Sequence, residues 1–208
     1  METIRLTREN VEEAAARAGV VLGAGGVVLY PTDTLYGFGA DAFSNDAVDK
    51  IYGIKGRDEK KPIHALVSDL EMAARFGEIT DAVRSLAEKL PQGKATFIVR
   101  KKPGIETGIA RTIETFGFRI PDNAFCIAMI KAFGDPVTAT SANKAGEPPL
   151  RSIPEILSQL GANAGMIDLV IDAGELPESK PSTVIDLSSG EVRILREGAI
   201  AKDDIENI

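Results

Sequence analysis

The sequence of 208 residues predicts a single α/β domain built on a mixed sheet, and three observations carry that expectation. Short apolar runs that read as buried strands alternate with segments of helical periodicity, the pattern of α/β folds. The last two runs form a hairpin, antiparallel by construction, so the sheet is not purely parallel. No repeat, low-complexity tract or linker divides the chain, so one domain over 1–208 is expected.

Taken in order, Val11, Ala15, Ala18 and Leu22 recur at helical spacing between Thr7 and Gly23, with Thr7 as the expected cap and GAGG at 23–26 as the stop. That loop ends a helix, whereas a dinucleotide fingerprint follows a strand and opens one, and Gly37-Phe38-Gly39 lacks the third glycine. The unbroken apolar run Gly26–Tyr30 reads as a strand buried on both faces. Ser44 or Asn45 caps a short helix with Val48, Ile51 and Tyr52 on one face, and Gly53 and Gly56 end it, leaving Lys55 and Arg57 beyond the turn. His64–Val67 is the next strand. Thr80 caps a helix over 81–90, and strands follow at 95–100 and 117–120. Asp122 or Asn123 caps a buried helix over 124–133, ahead of a strand at 137–140. Ser152 and Glu155 form a capping box for 153–160. A strand at 169–173, a loop at 174–181 and a hairpin of 184–187 with 192–195 complete the chain.

Composition narrows the function classes. With 44% apolar and 26% charged residues and no apolar run near the ~20 residues of a bilayer span, the chain reads as a soluble, cytoplasmic protein. A net charge of −7 opposes a surface given over wholly to nucleic acid. One cysteine, Cys126, lies in the apolar run AFCIAMI and reads as core. A single histidine and no Cys/His cluster exclude a structural zinc site, so no metal ligands are assigned. His64 lies within strand-like PIHALV and reads as structural rather than as the base of a hydrolase.

The polar residues at strand ends suggest a crevice. Thr32-Asp33-Thr34, Thr140-Ser141-Ala142-Asn143 and Ser182-Thr183 are hydroxyl-bearing tails of apolar strands, and α/β sheets bind ligands at such ends. The cations Lys55, Arg57, Lys61, Arg119 and Arg196 lie nearby in the pattern. Arg119 sits inside a strand and needs an anionic partner, either a protein carboxylate or a ligand's carboxylate or phosphate. With no P-loop and no nucleophile–histidine pair, the chemistry expected is positioning and charge stabilisation of a phosphate- or carboxylate-bearing small molecule.

These residues resemble the YrdC/Sua5 family of threonylcarbamoyl-AMP synthases, through YPTDTLYGFGADA at 30–42, KGR at 55–57, FRIPD at 118–122, SANKAGEP at 141–148, and STVIDL with ILREG between 182 and 198. The resemblance covers about 8–200 and implies a YrdC-like, strongly twisted mixed sheet around a large, positively charged cavity. It implies that L-threonine, bicarbonate and ATP give threonylcarbamoyl-AMP and pyrophosphate for the threonylcarbamoyl-adenosine modification of tRNA, with Mg²⁺ accompanying the ATP phosphates. Carried over by motif, Thr34, Arg119 and Ser182 would hold threonine. Lys55, Arg57, Lys61, Ser141, Asn143 and Arg196 would face the nucleotide, with Lys55 and Arg57 neutralising charge in the transition state. No general base is evident, and Asp33 is a weak candidate to assist. The sequence departs from the pattern at PQGKAT (91–96), at Lys61 in place of Asn, and at Ala145 and Pro149 in place of small hydroxyl residues. The longer members' extra C-terminal domain is not expected. Proteins that transfer the threonylcarbamoyl group onward are implied as partners, and no membrane is. Two competing readings are a module of this fold binding double-stranded RNA or tRNA, and a paralogue acting on another nucleotide.

Overall fold

The computed structural model describes residues 1–206. Its first half contains β1 (Glu2–Arg5), α1 (Val11–Gly23), β2 (Val28–Pro31), β3 (Tyr36–Gly39), α2 (Asn45–Lys55), β4 (His64–Leu66), α3 (Leu70–Phe76), α4 (Asp81–Lys89) and β5 (Ala95–Arg100). The second half adds β6 (Thr115–Arg119), α5 (Ala124–Phe133), β7 (Val137–Ser141), α6 (Ile153–Leu160), β8 (Leu169–Asp172), β9 (Thr183–Asp186), β10 (Arg193–Arg196) and α7 (Lys202–Glu206). The strands form one ten-stranded mixed sheet in the order β1-β8-β2-β3-β7-β4-β6-β5-β9-β10. Pairs such as β4–β6 and β5–β9 are parallel, while β2–β3, β3–β7 and β9–β10 are antiparallel, as a terminal hairpin requires.

Local chemistry explains most boundaries. Ser44, Asp69, Thr80 and Asn123 each accept a backbone N–H in the first turn of α2, α3, α4 and α5. Gly56 and Gly134, at φ 57° and 90°, end α2 and α5 in the left-handed conformation. Helices α1 and α5 approach closely because Gly19 has no side chain: a Cβ there would lie 3.1 Å from the carbonyl carbon of Ala132.

Several expectations need correction. Thr7 does not cap α1; its N–H instead donates to Asn10 Oδ1 at 2.8 Å in the preceding turn, and the helix begins at Val11. Ser152 does not close a capping box through the backbone, since its hydroxyl donates to the Glu155 carboxylate at 2.6 Å. Strand β1 is charged and exposed, so it carries no apolar alternation, and it exists through parallel pairing with β8. Strand β3 hides in the glycine-rich YGFG. Its glycines make room for the ring of Tyr30 on β2, because a Cβ at Gly39 would sit 2.8 Å from Tyr30 Cε1. Lys55 is the last residue of α2 rather than beyond its turn.

Candidate active site

The strand ends surround a cavity of about 370 Å³. Its walls include Thr32 and Thr34 after β2, Tyr36 on β3, Arg57 and His64 before and on β4, and Thr96 on β5. Arg119 ends β6, Ser141 ends β7, Ser182 precedes β9 and Arg196 ends β10. The three hydroxyl-bearing tails noted in the sequence therefore meet in one place. Of the nine site residues expected, six line the cavity: Thr34, Arg57, Arg119, Ser141, Ser182 and Arg196.

Arg119 is anchored rather than free. Its Nη1 donates to Asp33 Oδ1 at 3.0 Å, to Asp33 Oδ2 at 3.2 Å and to the Gly93 carbonyl at 3.0 Å. The side chains of Arg119 and Asp33 are 9% and 6% exposed, so the pair is buried. Lys94 Nζ adds a second cation 3.6 Å from Asp33. Gly93 permits this approach at φ +77°, where a Cβ would stand 2.4 Å from Asp33 Oδ2. All hydrogen bonds of the guanidinium among the described residues use Nη1, which leaves Nε and Nη2 without a partner among those residues. Asp33 is occupied by two cations and does not line the cavity, so the expectation that it assists as a base is not supported by its placement.

The hydroxyls form an ordered relay. Thr32 has one hydroxyl proton and donates it to the Leu35 carbonyl at 2.7 Å, so Thr34 is the donor in the 3.0 Å contact between the two hydroxyls. Arg119 Nη1 approaches Thr34 Oγ1 at 3.5 Å. The remaining capacity of Thr34 Oγ1 is as an acceptor. Across the cavity, Ser182 and Thr96 hydroxyls are 2.7 Å apart.

Arg57 and Arg196 differ from Arg119 in having no carboxylate partner among the described residues. Arg57 donates to the carbonyls of Lys61 and Pro62 at 3.2 and 3.0 Å. Arg196 donates to the Ser182 carbonyl at 2.7 Å. A bulge in β10 aims it there: the register passes from Ile194 opposite Ile185 to Arg196 opposite Val184, so Leu195 is extra and Arg196 turns to the other face. Burial lowers the pKa of both guanidiniums, and Arg119 adds to the effect on Arg196. With no Asp or Glu in its walls, the cavity is built for anions.

Three expected residues do not line it. Lys55 is 1% exposed, and its Nζ donates to the Ser141 carbonyl, to the Asn143 carbonyl at 2.8 Å and to Asn143 Oδ1 at 3.3 Å. Burial, and secondarily Arg57, push its pKa down to about 7. Asn143 uses its amide within the loop, donating to the Lys144 and Glu147 carbonyls at 2.9 and 2.7 Å and accepting from Ser141 Oγ. Lys61 is exposed and contributes its backbone carbonyl to Arg57. Thr96 and Ser179 join the walls without having been singled out for chemistry, Thr32 joins them from the first hydroxyl-bearing tail, and His64, read from the sequence as structural, lines the cavity as well. A threonine inside the apolar ATFIVR was the signal available for Thr96, whereas Ser179 lies in a loop with none.

The model of the Sua5/YciO/YrdC family, described as "Telomere recombination", matches residues 20–198. The chain belongs to the Sua5/YciO/YrdC family. A family relative from Methanocaldococcus jannaschii is 35% identical over 176 residues, covering 85% of this chain and 81% of its own. The threonylcarbamoyl-AMP synthase of Bacillus subtilis is 31% identical over 195 residues, 93% of this chain and 56% of the relative. The structure of Pyrococcus abyssi Sua5 complexed with L-threonine superposes with a TM-score of 0.88 at 28% identity, covering 99% of this chain and 59% of that one. The chain thus spans little more than half the length of these two longer family members. The mixed sheet expected for the family is the one observed.

Proposed function

We propose that this protein is a threonylcarbamoyl-AMP synthase, a nucleotidyltransferase that joins L-threonine, bicarbonate and ATP and releases pyrophosphate. The observation that carries the reading is Arg119: one nitrogen is fixed by Asp33, and two others are uncommitted beside a cavity that also holds two guanidiniums without carboxylate partners. A planar guanidinium anchored on one side is suited to grip an α-carboxylate on the other. Thr34, as an acceptor, complements the amino group, and Ser182 with Thr96 suits the threonine hydroxyl. The names of the relatives and the threonine complex of a structural neighbour support this assignment.

Arg57 and Arg196 then face the ATP phosphates, with Ser141 as a hydroxyl donor. Attack of the carbamate oxygen on the α-phosphorus builds charge on the phosphoryl oxygens, and preorganised guanidiniums stabilise it without reorganisation. Magnesium accompanying ATP would be ligated by phosphate oxygens and water, because the cavity walls carry no carboxylate and the described residues contain no cluster of metal ligands. Lys55 and Asn143 serve the nucleotide indirectly, by holding Ser141 in place, and Lys61 does so through its carbonyl on Arg57. The product is the activated donor for the tRNA modification, and the chain works in the cytoplasm with proteins that transfer the group onward.

Pyrophosphate release from ATP, measured with each of threonine and bicarbonate omitted in turn, tests the reading. Release that requires both is expected. Release indifferent to threonine would overturn it.

A further inference from the structure

Carbamate formation requires the α-ammonium of threonine to lose a proton, and a side chain of the cavity wall can receive it in place of solvent. The ionisable side chains in its walls are Tyr30, Tyr36, Arg57, His64, Arg119 and Arg196. The guanidiniums are already protonated. Burial raises both phenols, Tyr36 to about 12, so they hold their protons too. The carboxylate of Asp33 is taken by Arg119 and Lys94 and does not line the cavity. His64 remains.

Its placement suits the task. His64 opens β4, opposite Ala139 of β7, and lies against Gly117 of β6, where a Cβ would stand 2.5 Å from its Cδ2. Gly117 is two residues from Arg119 on the same strand and so shares its face. Neither ring nitrogen makes a hydrogen bond among the described residues, yet no fully buried side-chain nitrogen or oxygen there is unpartnered. The ring nitrogens are therefore open to the cavity.

We propose that His64 is the proton acceptor for carbamate formation, a proposal that rests on the synthase reading above. The imidazole takes one proton from the threonine ammonium. The freed amine lone pair forms a C–N bond to the bicarbonate carbon, and a C–O bond breaks. That oxygen leaves as water, carrying bicarbonate's own proton and the second proton of the amine. The proton on His64 passes to solvent. A carbamate oxygen then bonds to the α-phosphorus of ATP as the bond to the β-phosphate oxygen breaks and pyrophosphate departs.

The charged groups facing His64 are Arg196 from β10, Arg57 from the loop after α2 and Arg119 from β6, while β7 presents the uncharged Ser141. Burial and these three cations hold the pKa of the ring down at about 4, so it is neutral with an available lone pair at neutral pH. The carboxylate and phosphates of bound substrates offset the guanidiniums and raise the ring's proton affinity in the loaded site.

His64→Gln separates this role from a structural one. Two rates are compared with the parent: net synthesis from threonine, bicarbonate and ATP, and pyrophosphorolysis of threonylcarbamoyl-AMP to ATP, which involves no amine deprotonation. Loss of about 10²-fold or more in synthesis, with a far smaller loss in pyrophosphorolysis, is expected for a general base. Equal losses in both directions would mark His64 as structural, and undiminished synthesis would dismiss it; either overturns the proposal. A parent protein that makes no threonylcarbamoyl-AMP would instead overturn the synthase reading itself and the proposal with it.

Discussion

Asp33 lies between Arg119 and Lys94 with 6% of its side chain exposed, and its removal would leave Arg119 buried against a carbonyl and a hydroxyl alone. Breaking such a pair costs about 3–5 kcal/mol, because the remaining charge is not rehydrated. Asp33→Ala should therefore lower the urea midpoint sharply and raise the KM for threonine; a midpoint equal to the parent's would contradict the buried-pair account. The two working arginines should separate kinetically. Arg119→Ala should chiefly raise the threonine requirement, whereas Arg57→Ala should abolish turnover, since it removes charge stabilisation that matters most in the transition state. Equal activity of both variants and the parent would show that the cavity is not the site. At this scale the sequence was informative about identity and silent about partners. An arginine inside GFRIP announced a need for an anion, but nothing in the chain order said that Asp33, 86 residues away, would answer it.

Lys55 shows what a motif conceals at the scale of elements. Its sequence position beside Arg57 suggested a phosphate ligand, yet the end of α2 turns the side chain inward, where three oxygens of Ser141 and Asn143 match the three N–H groups of an ammonium. Its backbone carbonyl also accepts from Ala145 N at 2.8 Å, so one residue grips the 141–145 turn from both ends. The folded pKa of about 7 lies below the ordinary 10.5, so between these values the unfolded chain binds the extra proton and stability rises with pH. Relative to Lys55→Met, which lacks this titration, the parent should gain unfolding free energy between about pH 7.5 and about pH 9.5. A difference independent of pH would show that Lys55 carries its full charge inside the fold. The variant should also bind ATP more weakly as Ser141 loses its support. Two of the strands missed in the sequence share a cause: β1 and β3 take their identity from partners, Leu169–Asp172 for the one and the Tyr30 ring for the other, rather than from any pattern of their own.

Over the whole molecule, the sheet order brings chain segments from 30 to 196 around one cavity, although strands adjacent in sequence are often apart in the sheet. The fold class and the mixed sheet were legible because apolar runs and the terminal hairpin depend on local pattern. The convergence of hydroxyl-bearing strand ends was legible as a suggestion. The division into cavity walls and supports was not, since it depends on which way a helix end turns a side chain, as with Lys55. The direct measurement is mass spectrometry of the product formed from ATP, L-threonine and ¹³C-bicarbonate. The account predicts threonylcarbamoyl-AMP carrying the label in its carbamoyl carbon, together with pyrophosphate. An adenylate without the label, or no adenylate under conditions where ATP and threonine are bound, would contradict it.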